Sequence, residues 1–484
     1  CDYNTEVWIN GISVGTHTGG YTSFEFEITR YLTGTDNIIT VCASDDIRSG
    51  LQSTGKQCGK YNSFGCFYTR TTGIWQTVWL ENIPSIHIAS VRMVPDLEKS
   101  LLFIEADCKS AHGEIVKAEA FLEGKFVSCA KAEVVGNIAR IYLEISNPKL
   151  WTVDTPTLYD LKLTLCEDTV ESYFGMRSIA YFNNRLYLNG KPVFQRLVLD
   201  QGFYPDGIYT APTDEDLKKD IMLGKAMGFN GARLHQKVFE ERYLYYCDKL
   251  GYLVWGESAD WGLAVNLPDA WADKIPEWIQ ILKRDYNHPA IIGWIPFNEN
   301  YNGGSFLIET VVNLIKTIDK YRPVIDSSGW THFTDCTDVF DVHDYEQDPK
   351  IFKDRYDKLN EYKPDDKDMI TTIETYIDGG LKFRERQIDV QKAMSFVSEY
   401  GGISWIDQIS GWSYGKTDSE KTFFDRYRGL TEALLFNPSI SAFCYTQLTD
   451  VEQEQNGLYT YDRKEKFPPE MIKKINSQKA AIEE

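Results

Sequence analysis

Ile291-Ile292-Gly293-Trp294-Ile295-Pro296-Phe297-Asn298-Glu299-Asn300 decides the fold, because a short apolar run ends abruptly in two amides flanking one carboxylate. Such a run suits a strand covered on both faces, as in a parallel barrel, where reactive side chains sit after the strand's C-terminal end. Glu299 falls at that place. Working outward, strand-like runs alternate with helical ones from about Ser178. The strand candidates are Val193 to Leu199, Phe229 to Leu234, Tyr252 to Trp255, Ile291 to Phe297, Pro323 to Asp326, Val339 to Val342, Met394 to Val397 and Ser441 to Tyr445. Helices are expected after the capping sequence Thr213-Asp214-Glu215-Asp216, over Phe239 to Leu250 and over Asp269 to Tyr286. Eight strands with helices between them over ~300 residues predict a (β/α)8 barrel at 178–484.

Two β regions precede it. Residues 1–84 read as a partial β jelly roll. Asn10-Gly11 lies between two β-rich runs, Ser23 to Ile28 alternates with period two, and further strands are expected at Asn37 to Ala43 and Trp75 to Glu81. A long Gly/Ser/Lys-rich stretch, Asp45 to Thr72, separates these last two, and loops of that length are usually functional or mobile. Residues 85–177 carry short strands at regular spacing, from Ile86, Leu101, Ile115, Ala139 and Leu158 onward, as in a small β-sandwich. The chain opens Cys1-Asp2-Tyr3-Asn4-Thr5, directly into strand-like sequence, so part of the first domain is expected to be missing, with uncovered sheet edges as the result.

Composition narrows the partners. The 484 residues carry a formal charge of −20, which repels nucleic acid and anionic lipid, and no run approaches the ~20 apolar residues of a membrane helix. Aromatic residues make up 14%, suiting a protein that stacks flat sugar faces on rings, although aromatics also dominate cores. Ten cysteines without a C-x-x-C pair predict small buried thiols in a reducing, cytoplasmic compartment. Nothing here argues against a homo-oligomer.

If the barrel closes, its strand ends bring Asp200, His235, Glu257, Asn298, Glu299, His343, Asp344, Tyr345, Glu399, Tyr400 and Gln447 into one ring. Two carboxylates from different strands are what glycoside hydrolysis needs: one protonates the leaving oxygen, the other attacks or activates water. Glu299 and Glu399, each ending a short apolar run, are the best pair; Glu257 and Glu374 rank below them. Asp341 and His343 would share a strand face, but two ligands fall short of the three a catalytic zinc wants, so no metal is expected.

Asn287-His288-Pro289-Ala290-Ile291-Ile292 leading into Phe297-Asn298-Glu299-Asn300, with Ser398-Glu399-Tyr400-Gly401-Gly402, resembles glycoside hydrolase family 2, which holds β-galactosidases, β-glucuronidases and β-mannosidases. Val7-Trp8-Ile9-Asn10-Gly11 and Thr72-Gly73-Ile74-Trp75-Gln76 resemble that family's N-terminal jelly roll, and Leu150-Trp151 with Phe174-Gly175-Met176-Arg177 resembles its immunoglobulin-like second domain, so the resemblance implies an immunoglobulin-like β-sandwich at 85–177. The resemblance implies that Glu299 is the general acid/base, Glu399 the nucleophile and Asn298 a ligand of the 2-hydroxyl. It implies no cofactor. Asp200, His235, His343, Tyr345, Tyr445 and Gln447 are then candidates for holding sugar hydroxyls or providing a stacking face. It also implies a first domain short by roughly sixty to eighty residues, from the size of such folds.

Departures from the family pattern bear on the sugar. The segment Glu452-Gln453-Glu454-Gln455-Asn456-Gly457-Leu458 lacks the Asn-x-Lys that reads a substrate carboxylate in glucuronidases of this family. A neutral substrate is therefore expected, a terminal β-galactoside first, with β-mannoside or β-glucoside as the alternative. A carbohydrate-binding protein without turnover is the reading from a different class.

Overall fold

The computed structural model describes residues 1–483 apart from 184, 301–303, 335, 362–393 and 406–410. Glu374, one of the lower-ranked carboxylates, lies outside the described residues. No helix among them is long and apolar enough to cross a membrane.

The chain opens in a three-stranded antiparallel sheet, ordered β2-β1-β3, of β1 (Asn4–Ile9), β2 (Ile12–Thr18) and β3 (Ile39–Ser44). Asn10 (φ 51°) and Gly11 (φ 80°) make the two-residue turn that the Asn-Gly pair predicts. Ser23 to Ile28 and Trp75 to Glu81 do not form the expected strands. Alternation licenses a strand only where a neighbour offers a ladder, and neither segment has one. Val78, Trp79 and Leu80 are exposed, as are Ile39 and Val41 of β3, so apolar surface is indeed uncovered here.

Next come two facing sheets. β4 (His87–Asp96), β5 (Leu101–Lys109) and β8 (Ile138–Glu144) form one; β6 (Ile115–Leu122), β7 (Lys125–Glu133), β9 (Tyr159–Leu165) and β10 (Asp168–Phe174) form the other, ordered β10-β9-β6-β7. Leu102, Ile104, Val116, Ile141, Leu161 and Leu163 alternate inward to build their shared core. β7 and β10 were not anticipated. β7 follows a two-residue turn at Glu123 (φ 52°) and Gly124 (φ 73°), a disguised form of the Asn-Gly signal. A small sheet of β11 (Ile179–Phe182), β12 (Arg185–Leu188) and β13 (Lys191–Val193) leads onward.

The last and largest unit is an all-parallel sheet of β14 (Gln195–Asp200), β15 (Gly231–Leu234), β16 (Leu253–Glu257), β17 (Ile291–Ile295), β18 (Val339–Asp344), β19 (Met394–Gly401) and β22 (Ala442–Thr446), ordered β17-β16-β15-β14-β22-β19-β18; the short pair β20 (Ile403–Trp405) and β21 (Gly415–Thr417) lies outside it. Residues 323–328 fill the gap between its two ends. Trp294 N donates to Pro323 O (3.0 Å), Ile325 N to Trp294 O (3.0 Å) and Ser328 N to Phe297 O (2.9 Å), while Asp338 N reaches Val324 O (2.9 Å) on the other side. All eight expected strand positions are thus occupied.

Helices pack outside the barrel. In Asp214–Ala226 the Thr213 hydroxyl caps Asp216 N at 3.3 Å, and Glu241–Leu250 ends on Gly251 in the left-handed region at φ 69°. Trp151, Trp255, Trp278 and Trp294 are fully buried, so much of the aromatic content is core. Of the ten cysteines, all free, only Cys58, Cys108, Cys247 and Cys444 are buried; burial explains fewer than composition suggests.

Candidate active site

Strand register decides which candidates face the barrel axis. Leu199 pairs with Arg233 and Asp200 with Leu234, so these two pairs point to opposite faces. Arg233 points inward and is completely buried. Asp200 points to the helix layer, where Tyr243 Oη donates to it at 3.1 Å and Gly202 N at 2.9 Å. Burial, then the neighbouring Asp220, pushes its pKa up to about 6. Asp200 is therefore not among the residues gathered on the axis. The same holds for Tyr445, which pairs with Val198 and Tyr400 and packs on Tyr427 with ring centroids 4.9 Å apart. Its neighbours Cys444 and Thr446 take the inward positions, which leaves no stacking face for a sugar at Tyr445.

The two glutamates do converge. His343 stands between them, Nδ1 at 2.8 Å from Glu299 Oε1 and Nε2 at 3.2 Å from Glu399 Oε1. One ligating atom from each of these three side chains lies within 4.8 Å of the others. Simple alternation along β19 would turn Glu399 outward, since Phe396 and Ser398 face in. Instead His343 pairs with Glu399 directly after Val342 pairs with Val397, so Ser398 is the extra residue of a bulge. Bulges re-aim side chains in this way beside active sites. Glu299 is held by Ser328 O, which accepts its N–H at 2.8 Å, in the left-handed region at φ 54°, a conformation that costs a non-glycine residue about 1–3 kcal/mol and clusters at functional sites.

Arg233 organises the floor. Its Nε donates to Glu257 Oε2 (2.6 Å), Nη2 to Asn298 Oδ1 (2.6 Å), and Nη1 to Glu399 Oε1 (3.0 Å), Ser398 O (3.2 Å) and His343 Nε2 (3.1 Å). Donation to Nε2 makes that atom an acceptor and puts the imidazole proton on Nδ1, facing Glu299. Glu257 also accepts from His235 Nδ1 (3.0 Å) and Gln236 N (3.0 Å), so it is a satisfied counter-ion. His235 Nε2 is 3.9 Å from Glu399 Oε1; burial, then the charge of Lys56, holds this ring neutral.

Burial alone would raise the pKa of Glu399, but the charges of His343, His235, Arg233 and Lys56 outweigh it and bring it down to about 2. Because His235 is itself neutral, it adds no standing charge there, whereas Arg233 and Lys56 do. Tyr345 Oη also donates to Glu399 Oε2 and lies 3.1 Å from Thr446 Oγ1. Tyr345 is stacked flat on Tyr414, centroids 3.4 Å apart. Asn298 Nδ2 is buried and has no partner among the described residues, an amide donor waiting for an acceptor. Gln447 follows Thr446; its Oε1 takes Gln201 Nε2 at 2.7 Å and its Nε2 is likewise unpartnered.

Asp260 and Arg233 went unnoticed in the sequence. Asp260 accepts from Asn298 N (3.0 Å), Asn300 Nδ2 (2.9 Å) and Gln236 Nε2 (2.5 Å), fixing both amides that flank Glu299. The signal for Arg233 was present: a charge inside the apolar strand Phe229 to Leu234 must be paired if buried. Asp341 and His343 do share a face, yet Asp341 Oδ2 accepts from Ser328 Oγ (2.6 Å) and from Ser398, while His343 turns to the glutamates. The Glu299, His343 and Glu399 trio has the span of a cation site. The guanidinium of Arg233 at 3.0 Å already supplies the positive charge there, which disfavours a metal ion.

A parallel (β/α)8 barrel with two glutamates converging across its C-terminal mouth has the architecture of a carbohydrate-active barrel. Family models agree with that class: Glycosyl hydrolases family 2 matches residues 86–177, and Glycosyl hydrolases family 2, TIM barrel domain, matches residues 182–375. The chain belongs to glycosyl hydrolase family 2. It is 26% identical to a β-galactosidase of Thermoanaerobacterium thermosulfurigenes over 70% of this chain and 48% of that protein, and 24% identical to a β-glucuronidase of Mus musculus over 71% and 58%. In fold it resembles the crystal structure of a β-galacturonidase from Eisenbergiella tayi, with TM-score 0.76 and 19% identity, covering 99% of this chain and 86% of that one. The chain spans between about a third and a half of the length of the first curated relatives it matches.

Proposed function

We propose that this protein is an exo-acting, retaining β-glycosidase whose barrel at 178–484 carries the chemistry, with 1–84 and 85–177 as its two β domains. The observation that supports it most is the span of Glu299, His343 and Glu399, atoms within 4.8 Å of one another. Retaining enzymes hold their carboxyl groups ~5–5.5 Å apart, whereas inversion needs ~6.5–9.5 Å to admit a water.

Glu399, ionised and held by Arg233 and Tyr345, attacks the anomeric carbon from one face. Glu299 protonates the departing oxygen, and the Nδ1–H of His343 orients its carboxyl. Water then enters on the departing side, gives its proton to Glu299 and releases the sugar from Glu399, so two inversions return the β configuration. Asn298 Nδ2 takes the 2-hydroxyl, where hydrogen bonds strengthen as oxocarbenium character develops. The relatives' names divide between neutral galactosides and uronic sugars, and among neutral substrates a terminal β-D-galactoside is the first candidate.

Proton NMR of the sugar released from p-nitrophenyl β-D-glycosides tests the reading. The β-anomer should appear first. Initial release of the α-anomer, or no turnover of any sugar in the panel, would overturn it.

A further inference from the structure

The stretch Asp45 to Thr72 carries a lysine that the mechanism above leaves largely unused. Residues 52–58 of it are buried against the barrel mouth. Thr54 N and Gly55 N donate to Trp261 O at 2.8 and 3.1 Å, and a Cβ on Gly55 (φ 59°) would stand 2.2 Å from Gln236 O, so a glycine is what lets the loop approach this closely. Lys56 is thereby carried inward, 4% exposed, with Nζ 4.2 Å from the centre of the Trp261 ring. Among the described residues its ammonium forms neither an ion pair nor a hydrogen bond, although its charge acts at longer range on Glu454, Glu399 and Glu299. Burial works against this charge, but the negative field of Cys66, Glu454, Glu399 and Glu299 more than offsets it, so the ammonium stays charged without a contacting anion.

Its location gives that standing charge a meaning. Segment 452–458, where a carboxylate-reading lysine is lacking, is packed against this same loop. Tyr68 Oη donates to Glu454 Oε2 at 2.5 Å, Thr69 N reaches both Glu452 oxygens at 3.1 Å, and Gln453 Nε2 donates to Gly65 O (2.8 Å) and Phe67 O (3.0 Å). Asn456 Oδ1 is buried there without a partner. A cation absent from the barrel's own segment is delivered to the same neighbourhood by the first domain.

We propose that Lys56 selects a substrate whose terminal sugar carries a carboxylate, a β-D-hexuronide, by pairing with that carboxylate beside Trp261 and segment 452–458. This rests on the glycosidase reading of the pocket and replaces the neutral sugar with an acidic one.

The test compares the wild-type chain with Lys56→Met and Lys56→Arg by two readouts. In kinetics, the ratio of kcat/KM for p-nitrophenyl β-D-glucuronide or β-D-galacturonide to that for p-nitrophenyl β-D-galactoside should fall about 10²- to 10³-fold in Lys56→Met, and within tenfold in Lys56→Arg. In titration calorimetry, D-glucuronate or D-galacturonate should bind the wild-type chain more tightly than D-glucose or D-galactose, and Lys56→Met should abolish that preference. Equal losses on acidic and neutral glycosides, or turnover of neutral glycosides alone, overturn the assignment while leaving the glycosidase intact. Lysine-dependent uronate binding with no turnover of any glycoside sinks the hydrolase reading and leaves the carboxylate site standing.

Discussion

Arg233 Nη1 lies 3.0 Å from Glu399 Oε1, inside a barrel where neither side chain is more than 4% exposed. The same guanidinium holds Glu257 and Asn298, so one side chain fixes the proposed nucleophile and the amide beside the proposed acid. Replacing it with Met strands Glu257 as a buried unpaired charge, which costs about 3–5 kcal/mol. Urea unfolding should show that loss in Arg233→Met. Arg233→Lys keeps the charge but cannot span five acceptors, so its kcat should fall while its unfolding midpoint drops less.

Glu399→Gln should end turnover of every glycoside with the near-ultraviolet circular dichroism unchanged. A rate within tenfold of wild type removes Glu399 as the nucleophile.

Loss of the acid is selective. Glu299→Ala should slow alkyl glycosides by roughly 10²- to 10⁴-fold, the worth of general acid catalysis, and activated aryl glycosides far less in the first step. A Brønsted plot against leaving-group pKa reads the difference directly; identical losses across the series would contradict the assignment.

The depressed pKa of Glu399 sets an acid limb. A carboxyl whose folded pKa is about 2 against an ordinary 4.5 contributes stability that is present above pH 4.5 and lost as pH falls through 2. Glu399, the proposed nucleophile, is thus ionised at every pH well above 2. Tyr345→Phe removes a donor to the ionised form and should move the acid limb of kcat/KM upward in pH.

His332 gives the opposite sign. Burial would lower its pKa, but Asp326 at 2.6 Å and Asp341 at 3.3 Å raise it to about 9. A folded pKa above the unfolded ~6.5 stabilises fully below pH 6.5, and that contribution disappears as pH rises through 9. Thermal melts from pH 6.5 to 9.5 should show a decline that His332→Gln flattens.

The barrel was legible because its strands are apolar runs ended by polar residues, and the glutamates because each closes such a run. Side-chain direction was not. Asp200 and Tyr445 sit at the right strand ends and face the wrong way, since period two is read only once register is known. Glu399 faces the axis only through the bulge at Ser398, which leaves no trace in composition. The sequence also pointed to a neutral substrate, because segment 452–458 lacks a carboxylate-reading lysine. Lys56, nearly four hundred positions earlier, was invisible from there because the contact that brings it over joins two domains.

Seating 52–58 on the barrel mouth ties the fate of the pocket to the sheet that carries β1 to β3. β3 is open to solvent along nearly its whole length, and a three-stranded ribbon has little interior of its own to resist warming. Heat should therefore silence the enzyme before the barrel melts, with the inactivation temperature tracking the sheet and the calorimetric peak tracking the barrel.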